Sequence, residues 1–137
     1  MKVESWDWTP GAGVGPFRIG DDAREVVARF DLRKWEPLFE AEWWESYEIP
    51  DTESSISTEE GKLSSIDCYD HLYYKEKDIL ALCLDDVRSM LGPESASEVH
   101  PYRDGILVVY YSRLGLTLFI DGETIESAVC DEILDDA

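Results

Sequence analysis

Two stretches of this sequence run through the same order of residue patterns, and this repetition limits the fold more than any single motif does. DDAREVV begins at Asp21 and DDVRSML at Asp85, and each has an aspartate pair, an apolar residue, an arginine and a later apolar pair. Aspartate is a good N-cap and suits the positive end of a helix dipole. Each segment therefore predicts a helix that begins at one of its two aspartates, and Gly92-Pro93 predicts the end of the second helix.

Strand-like segments joined by a turn follow each predicted helix. They read WWESYEI, SSISTEE and KLSSIDCYDHLYY after the first helix, and ILVVYY, LGLTLFI and TIESAVCDEI after the second. The turns lie at Gly61 and at Asp121-Gly122, and Asp-Gly between alternating segments is a strong hairpin signal. We interpret the pattern as a duplicated unit, with halves at 17–78 and 79–133 inside one domain, 1–137; chance similarity of short helices is the alternative.

The alternation of side chains along the strands predicts the fold class. Leu63, Ser65, Asp67 and Tyr69 are expected on one face of their strand, and the intervening residues on the other. In the same way, Leu116, Leu118 and Ile120 are expected to share a face. These patterns predict an α+β fold, an antiparallel sheet with helices packed on one face and the other face open to water.

Acidic residues far outnumber basic ones, 31 against 12, which gives a formal net charge of −19. Such a chain would repel the phosphates of nucleic acid and the surface of an anionic membrane, so neither is expected as a partner. A basic protein is the favoured partner, because a large field of one sign speeds the association of opposite charges. Plain solubility, in a proteome that is acidic throughout, is the alternative.

One acid-only block is interleaved with aromatic residues and forms the candidate binding site. Between Trp35 and Gly61 the chain has nine acidic residues and no lysine or arginine. We predict that an acidic and aromatic surface from this block binds the partner. Its candidate residues are Glu36, Glu40, Glu42, Trp43, Trp44, Glu45, Tyr47, Glu48, Asp51, Glu53, Glu59 and Glu60.

The sequence gives little support for catalysis or for a bound cofactor. DCYDH, from Asp67 to His71, holds possible metal ligands, but strand alternation divides them between two faces. No nucleophile, zinc or phosphate-loop motif occurs, so we expect no enzyme activity, metal, cofactor or small-molecule substrate; a small hydrolase remains the alternative. The three cysteines, Cys68, Cys83 and Cys130, include no CxxC pair, and the chain opens without an apolar leader; both features favour a cytoplasmic protein.

The glycine-rich stretch GAGVGPFRIGDD, from Gly11 to Asp22, raises the question of a nucleotide loop. Pro16 stands where a dinucleotide fingerprint has its third glycine, and the two aspartates would repel phosphate. We therefore predict a tight turn that delivers Phe17 and Ile19 into the core.

The segment GVGPFRIGDDAREVVARF, with the repeated order of a helix and hairpin strands, resembles the tandem-repeat fold of the beta-lactamase inhibitor protein. Its glycine-proline lead-in and IGDDAREVV also resemble bacterial immunity proteins of toxin–immunity loci, including contact-dependent growth inhibition systems. The resemblance runs from Phe17 to Ile133. It implies a cytoplasmic, non-catalytic immunity protein that binds and neutralises a basic toxin domain, with a nuclease as the expected class. A non-catalytic acidic interaction or housekeeping domain is the alternative.

Overall fold

The computed structural model describes residues 3–35 and 44–133, with Trp35 and Trp44 described by their backbone. Within these ranges the chain has two α-helices, α1 (Ala23–Phe30) and α2 (Leu84–Leu91). Neither helix is long and apolar enough to cross a membrane. The predicted α+β class is confirmed.

The described strands form three antiparallel sheets. Three short strands precede α1, and four strands follow it. Two more strands form a small hairpin before α2, and four further strands follow α2. In chain order they are β1 (Trp8–Thr9), β2 (Gly13–Val14), β3 (Phe17–Arg18), β4 (Arg33–Trp35), β5 (Trp44–Glu48), β6 (Ser55–Glu59), β7 (Lys62–Cys68), β8 (Tyr73–Tyr74), β9 (Lys77–Asp78), β10 (Ala96–Val99), β11 (Ile106–Tyr111), β12 (Leu116–Asp121) and β13 (Thr124–Asp131).

The main sheet has eight strands in the order β10-β11-β12-β13-β7-β6-β5-β4. Each α-helix is thus followed by a four-stranded antiparallel meander, and the last strands of the two meanders, β7 and β13, pair at the centre. Cys68 lies opposite Ala128 and Cys130 opposite Ile66, so the two cysteines occupy matching places about the middle of this central pair. Both are buried.

One face of the sheet carries the core. A row of paired residues crosses seven strands on this face, in the order Tyr111, Leu116, Cys130, Ile66, Ile56, Tyr47 and Lys34. Val26 and Phe30 of α1, Val87 of α2 and Phe17 of β3 belong to the same buried cluster. We call this the helix-bearing face.

The opposite face, called here the open face, is crossed by a second row of paired residues. It runs through all eight strands as Arg33, Glu48, Ser55, Asp67, Val129, Thr117, Tyr110 and Ala96. These residues are half-buried or exposed, whereas the row on the helix-bearing face is mostly buried. The buried residues of α1 and α2 belong instead to the cluster on the helix-bearing face.

Both central hairpins carry a β-bulge at the same distance from their turn. In the β6–β7 hairpin the register shifts between the pairs Thr58–Leu63 and Ser57–Ser65, so Ser64 is extra. In the β12–β13 hairpin it shifts between Ile120–Ile125 and Phe119–Ser127, so Glu126 is extra. A bulge adds one residue to one strand. Side chains on the two sides of the bulge therefore do not follow a single alternation between the faces of the sheet.

Two predictions from the sequence are corrected, one from alternation and one from the Asp-Gly turn signal. Leu63 is buried with Ile66 and Cys68 rather than sharing the face of Ser65, because the bulge at Ser64 lies between them. The second turn consists of Gly122-Glu123, since Asp121 already pairs with Thr124. The predicted grouping of Leu116, Leu118 and Ile120 is confirmed, because all three are buried.

The helix boundaries follow local capping chemistry. Asp22 caps α1 by accepting a hydrogen bond from the backbone N–H of Arg24 at 2.9 Å, as predicted. The predicted start of α2 is late, since Cys83 is its N-cap and makes no side-chain cap bond. Asp85 and Asp86 instead occupy the first turn, where carboxylates still favour the helix dipole.

The glycine-rich stretch is a structural hairpin formed by β2 and β3. A Cβ at Gly13 would lie 2.0 Å from the carbonyl oxygen of Phe17, and one at Gly15 would lie 2.0 Å from that of Ser5. Phe17 is fully buried and Ile19 packs at the margin of the core, which confirms their predicted direction. The glycines therefore allow close backbone packing.

Candidate functional site

Two carboxylates lie next to each other at the middle of the open face. Asp67 of β7 is paired with Val129 of β13, and Asp131 of β13 is paired with Ser65 of β7. The two aspartates are therefore diagonal neighbours across the central strand pair, and both are half-buried. The site is built on the most central strands of the sheet, which gives it a rigid base.

This arrangement disfavours the charged form of both aspartates. Burial and the nearby charge of Asp131 raise the pKa of Asp67 from 3.8 to about 6. The pKa of Asp131 is raised by its own burial and by the charges of Glu59 and Glu132. The centre of the open face therefore holds negative charge at a cost in free energy, and a cation placed beside it would reduce that cost.

Hollows lie on both sides of the aspartate pair. One, of about 460 Å³, adjoins Asp67 and is lined by Glu48, Tyr69 and the hydroxyls of several serines. The other, of about 550 Å³, adjoins Asp131 and includes Tyr110 and Thr117. Short hydroxyl side chains leave room above the sheet and offer hydrogen-bond partners, so the open face can accept protruding polar side chains of a partner.

The loop beside the first hollow is fixed by a small hydrogen-bond network. Asp70 accepts a 2.6 Å bond from the Ser54 hydroxyl and a 3.1 Å bond from the backbone N–H of Glu53. The Ser54 oxygen in turn accepts the backbone N–H of Tyr69 at 2.9 Å. Tyr69, which is 46% exposed, is thereby held beside Asp67 on the open face.

On the side of β10 and β11, the open face is bordered by the connection between these two strands. The Arg103 guanidinium makes two bonds to the Glu126 carboxylate, at 2.7 and 2.9 Å. His100 accepts at Nδ1 from the backbone N–H groups of Tyr102 and Arg103, both at 3.1 Å, and its ring lies 6.2 Å from that of Phe119. These contacts hold a defined loop that leaves Tyr102 91% exposed.

The acidic and aromatic block predicted as the binding site does not form one surface. Glu45 and Tyr47 lie on the helix-bearing face, where Tyr47 donates a hydrogen bond to Glu45 and Lys34 pairs with Glu45 at 3.2 Å. These two partners lower the pKa of Glu45, and burial together with Glu45 raises the pKa of Tyr47 to about 12. The negative charge of Glu45 is therefore already paired with a positive charge within the chain.

The other described members of that block lie on or around the open face. Glu48 projects from it, Asp51 and Glu53 follow in the loop to β6, and Glu59 and Glu60 lie at the β6–β7 turn. Trp44 begins β5, paired with Glu59. Glu36, Glu40, Glu42 and Trp43 lie outside the described residues.

The residues of DCYDH are separated by the strand and its end. Asp67 lies on the open face, Cys68 lies in the core, and Asp70 is used by the Ser54 loop. His71 pairs with Asp78 through Nδ1 at 2.9 Å. Within the described ranges, no group of three histidine, cysteine or acidic side chains is placed to hold a metal ion.

Sequence reasoning missed the aspartate pair as a site. Asp131 lies after Arg113 in a stretch with seven acidic residues and no lysine or arginine, and Asp67 is singled out in the sequence as a possible metal ligand. The available signal was the polar residues at alternate positions of the two central strands, Ser65 and Asp67 in one and, on either side of apolar Val129, Ser127 and Asp131 in the other. Only the strand order shows that these positions adjoin, because β7 and β13 are distant in sequence.

Comparison with known proteins gives a structural likeness alone. No family model matches the chain, and no curated protein matches it. The crystal structure of a DUF4309 family protein, YjgB from Bacillus subtilis subsp. subtilis str. 168, superposes with a TM-score of 0.57 at 12% sequence identity. The match covers 87% of this chain and 84% of that chain, so the likeness concerns the whole fold.

Proposed function

We propose that this chain is a cytoplasmic immunity protein that binds a basic toxin domain, with a nuclease as the expected class, and neutralises it without catalysis. The observation that carries the proposal is the open face, whose centre holds two carboxylates at a cost in free energy. Exposed Glu48 and Glu59 add carboxylates to this face on strands β5 and β6, and each lies opposite a base across its strand pair, Glu48 opposite Arg33 and Glu59 opposite Lys62. A surface of this kind is suited to bind cationic side chains.

The acidic charge would raise the rate of association with a basic partner as well as the affinity for it. A chain with a net charge of −19 attracts a basic domain over distances of about a Debye length, roughly 8 Å at physiological ionic strength. Nucleases are basic where they bind phosphates, so an acidic cover would also block their substrate. Early capture matters for an inhibitor, because a toxin acts from the moment it enters.

We also infer that the halves 17–78 and 79–133 descend from one duplicated unit. The support is the equal placement of the two bulges, of the central cysteines and of the helix before each meander. The difference between the halves is as informative as the likeness. Asp67 in one half corresponds to Val129 in the other, so the two central carboxylates, one from each half, do not occupy equivalent positions.

The binding test uses the protein encoded beside this chain in its genome as the probe. Its expression alone is expected to be toxic, and co-expression of this chain is expected to restore growth. The double reversal Glu48→Lys with Glu59→Lys, on the open face, should slow association with the purified partner by about tenfold or more. The matched control, Glu25→Lys with Glu76→Lys, changes the net charge equally on exposed residues of α1 and of the β8–β9 turn.

Three results would contradict the proposal. The first is a neighbouring protein without toxicity. The second is equal slowing of association by both double reversals, which would indicate net charge rather than the open face. The third is an association rate that does not depend on salt concentration, because an exposed charged interface is screened by added salt.

A small hydrolase is the second candidate, favoured by one observation. Asp67, with a pKa near 6, lies beside a hollow and next to a second carboxylate, an arrangement that acid–base hydrolysis can use. In that case Asp67→Asn would abolish turnover of a chromogenic ester or glycoside. For an immunity protein, Asp67→Asn should change partner binding and stability, and no turnover should be seen with the unchanged chain.

A further inference from the structure

The outer strand of the second meander, β10, is an edge of the main sheet. β10 ends the strand order of the main sheet, and all four of its residues are exposed. Among the described residues, no strand pairs with its outer side. Natural edge strands are commonly protected by lysine, proline or a covering loop, because their free N–H and C=O groups can pair with another chain. Residues Ala96–Val99 include neither lysine nor proline.

The register shows which backbone groups face outward. His100 N–H bonds to the Ile106 carbonyl at 2.8 Å, and hydrogen-bonded residues alternate along an antiparallel pair. Glu98 therefore bonds inward to β11, while the N–H and C=O groups of Ser97 and Val99 point away from the sheet. Two residues spaced this way can accept one extended segment of about four residues.

The end of this edge carries exposed apolar side chains on a fixed loop. Val99 is 70% and Tyr102 91% exposed. Tyr102 is nevertheless not on a loose loop, since His100 Nδ1 accepts its backbone N–H and Arg103 is held by Glu126. A rigid, exposed tyrosine is a common anchor of protein interfaces, because little conformational entropy is lost when it is buried.

The charge around the edge indicates what would bind. Exposed Glu98 and Asp104 flank the apolar pair, and the guanidinium of Arg103 is already occupied by Glu126. A second copy of this chain would bring another −19 charges, which opposes pairing of two β10 edges. An extended segment with lysine or arginine side chains fits both the backbone pattern and the charge.

We propose that β10 pairs with an extended basic segment of the partner, with Tyr102 and Val99 as apolar anchors. This rests on the proposed function, since it assigns part of the same partner to an edge of the same sheet. The segment adds a ninth strand, and its main-chain bonds to Ser97 and Val99 fix its position. Its cationic side chains lie beside Glu98 and Asp104.

The test is an NMR titration of the full-length, 15N-labelled chain with the peptide Lys-Thr-Lys-Val-Lys-Thr-Lys. The amide signals of Ser97 and Val99 should shift and exchange more slowly with solvent, while Glu98, already bonded to β11, should gain little protection. The acidic peptide Glu-Thr-Glu-Val-Glu-Thr-Glu is the control and should cause no shift. Together these results would support pairing at the edge.

Two variants separate main-chain pairing from charge attraction. Ser97→Pro removes an outward N–H and should weaken peptide binding by about tenfold, whereas Ser97→Ala keeps that N–H and should change binding less than about twofold. Tyr102→Ala should also weaken binding by about tenfold, and its folding is expected to be unchanged because the side chain is exposed. Equal melting temperatures would confirm that each variant is folded.

Other outcomes would overturn the edge proposal. Shifts confined to Asp67 and Asp131, unaffected by Ser97→Pro, would place the basic segment on the open face and leave the proposed function standing. Absence of shifts with either peptide would reject the edge site, while binding of the whole partner would still be decided by the charge reversals. A dimer by sedimentation that Ser97→Pro converts to monomer would show that a second copy occupies the edge.

Discussion

Replacing the central carboxylate by its neutral isostere, Asp67→Asn, should stabilise the protein at neutral pH. Burial and Asp131 raise the pKa of Asp67 from 3.8 to about 6, so folding is opposed by its charged form. A difference of about two pH units corresponds to about 3 kcal/mol at roughly 1.4 kcal/mol per unit. Asparagine fills the same volume without the charge, and it should therefore recover most of this free energy.

The sign of the pH dependence follows from proton binding. Between pH 3.8 and about 6 the folded state holds the Asp67 proton more tightly than the unfolded state does. Stability from this group is therefore lost as pH rises through that window, and the loss is complete above pH 6. The variant and the unchanged chain should have nearly equal stability near pH 3.5 and diverge to about 3 kcal/mol at pH 7.5.

Urea unfolding followed by tryptophan fluorescence, at intervals from pH 3.5 to 7.5, measures this divergence. Comparing the two proteins at each pH cancels the contributions of the other carboxylates. Asp131→Asn is the matched control, since it should lower the pKa of Asp67 and recover part of the same stability. An Asp67→Asn variant that is less stable at pH 7.5, or whose advantage is constant with pH, would refute the electrostatic reasoning.

Three further predictions concern single positions in the fold, each measured by thermal or urea unfolding. Asp22→Ala should cost about 1 kcal/mol by removing the α1 cap, while Asp21→Ala should cost little; equal effects would contradict the assigned cap. Gly13→Ala should lower the free energy of unfolding by more than about 2 kcal/mol, because its Cβ would lie 2.0 Å from a backbone oxygen. Gly20→Ala has open space around its Cβ and should cost only the strain of its left-handed backbone, about 1–2 kcal/mol. Glu76→Gly should stabilise by about 1 kcal/mol because residue 76 has φ of 67° in the β8–β9 turn, and a destabilised variant would show that its side chain makes a compensating contact.

Local patterns predicted the elements of this fold better than they predicted its faces. The α1 cap at Asp22, the end of α2 at Gly92 and the buried Leu118 all follow from short-range rules. The face predicted for Leu63 is wrong because an extra residue, Ser64, enters the strand at a bulge. A bulge leaves no period in a single short strand, so alternation alone cannot reveal it.

The candidate site was harder to predict because its parts come from distant segments. The acid-rich block was visible in the sequence, but Glu45 is used internally by Tyr47 and Lys34. Asp67 and Asp131 become neighbours only through the pairing of β7 with β13, a long-range choice that no local pattern determines. Composition therefore led to the proposal of a basic partner, while the strand order supplies the surface proposed for it.

The pairing of Asp67 with Val129 distinguishes the side chain that folding requires at this position from the one that the proposed binding requires. The two residues face each other at the centre of the open face, and each lies two residues beyond the first pair after its own bulge. An equivalent place in the same sheet thus accepts an apolar, uncharged side chain. Because a valine suffices there for the fold, the carboxylate of Asp67 is not explained by folding, and its charge opposes stability at neutral pH. A cationic partner that lies against the open face would recover that free energy on binding. This recovery is expected if the charge of Asp67 serves to recognise the partner.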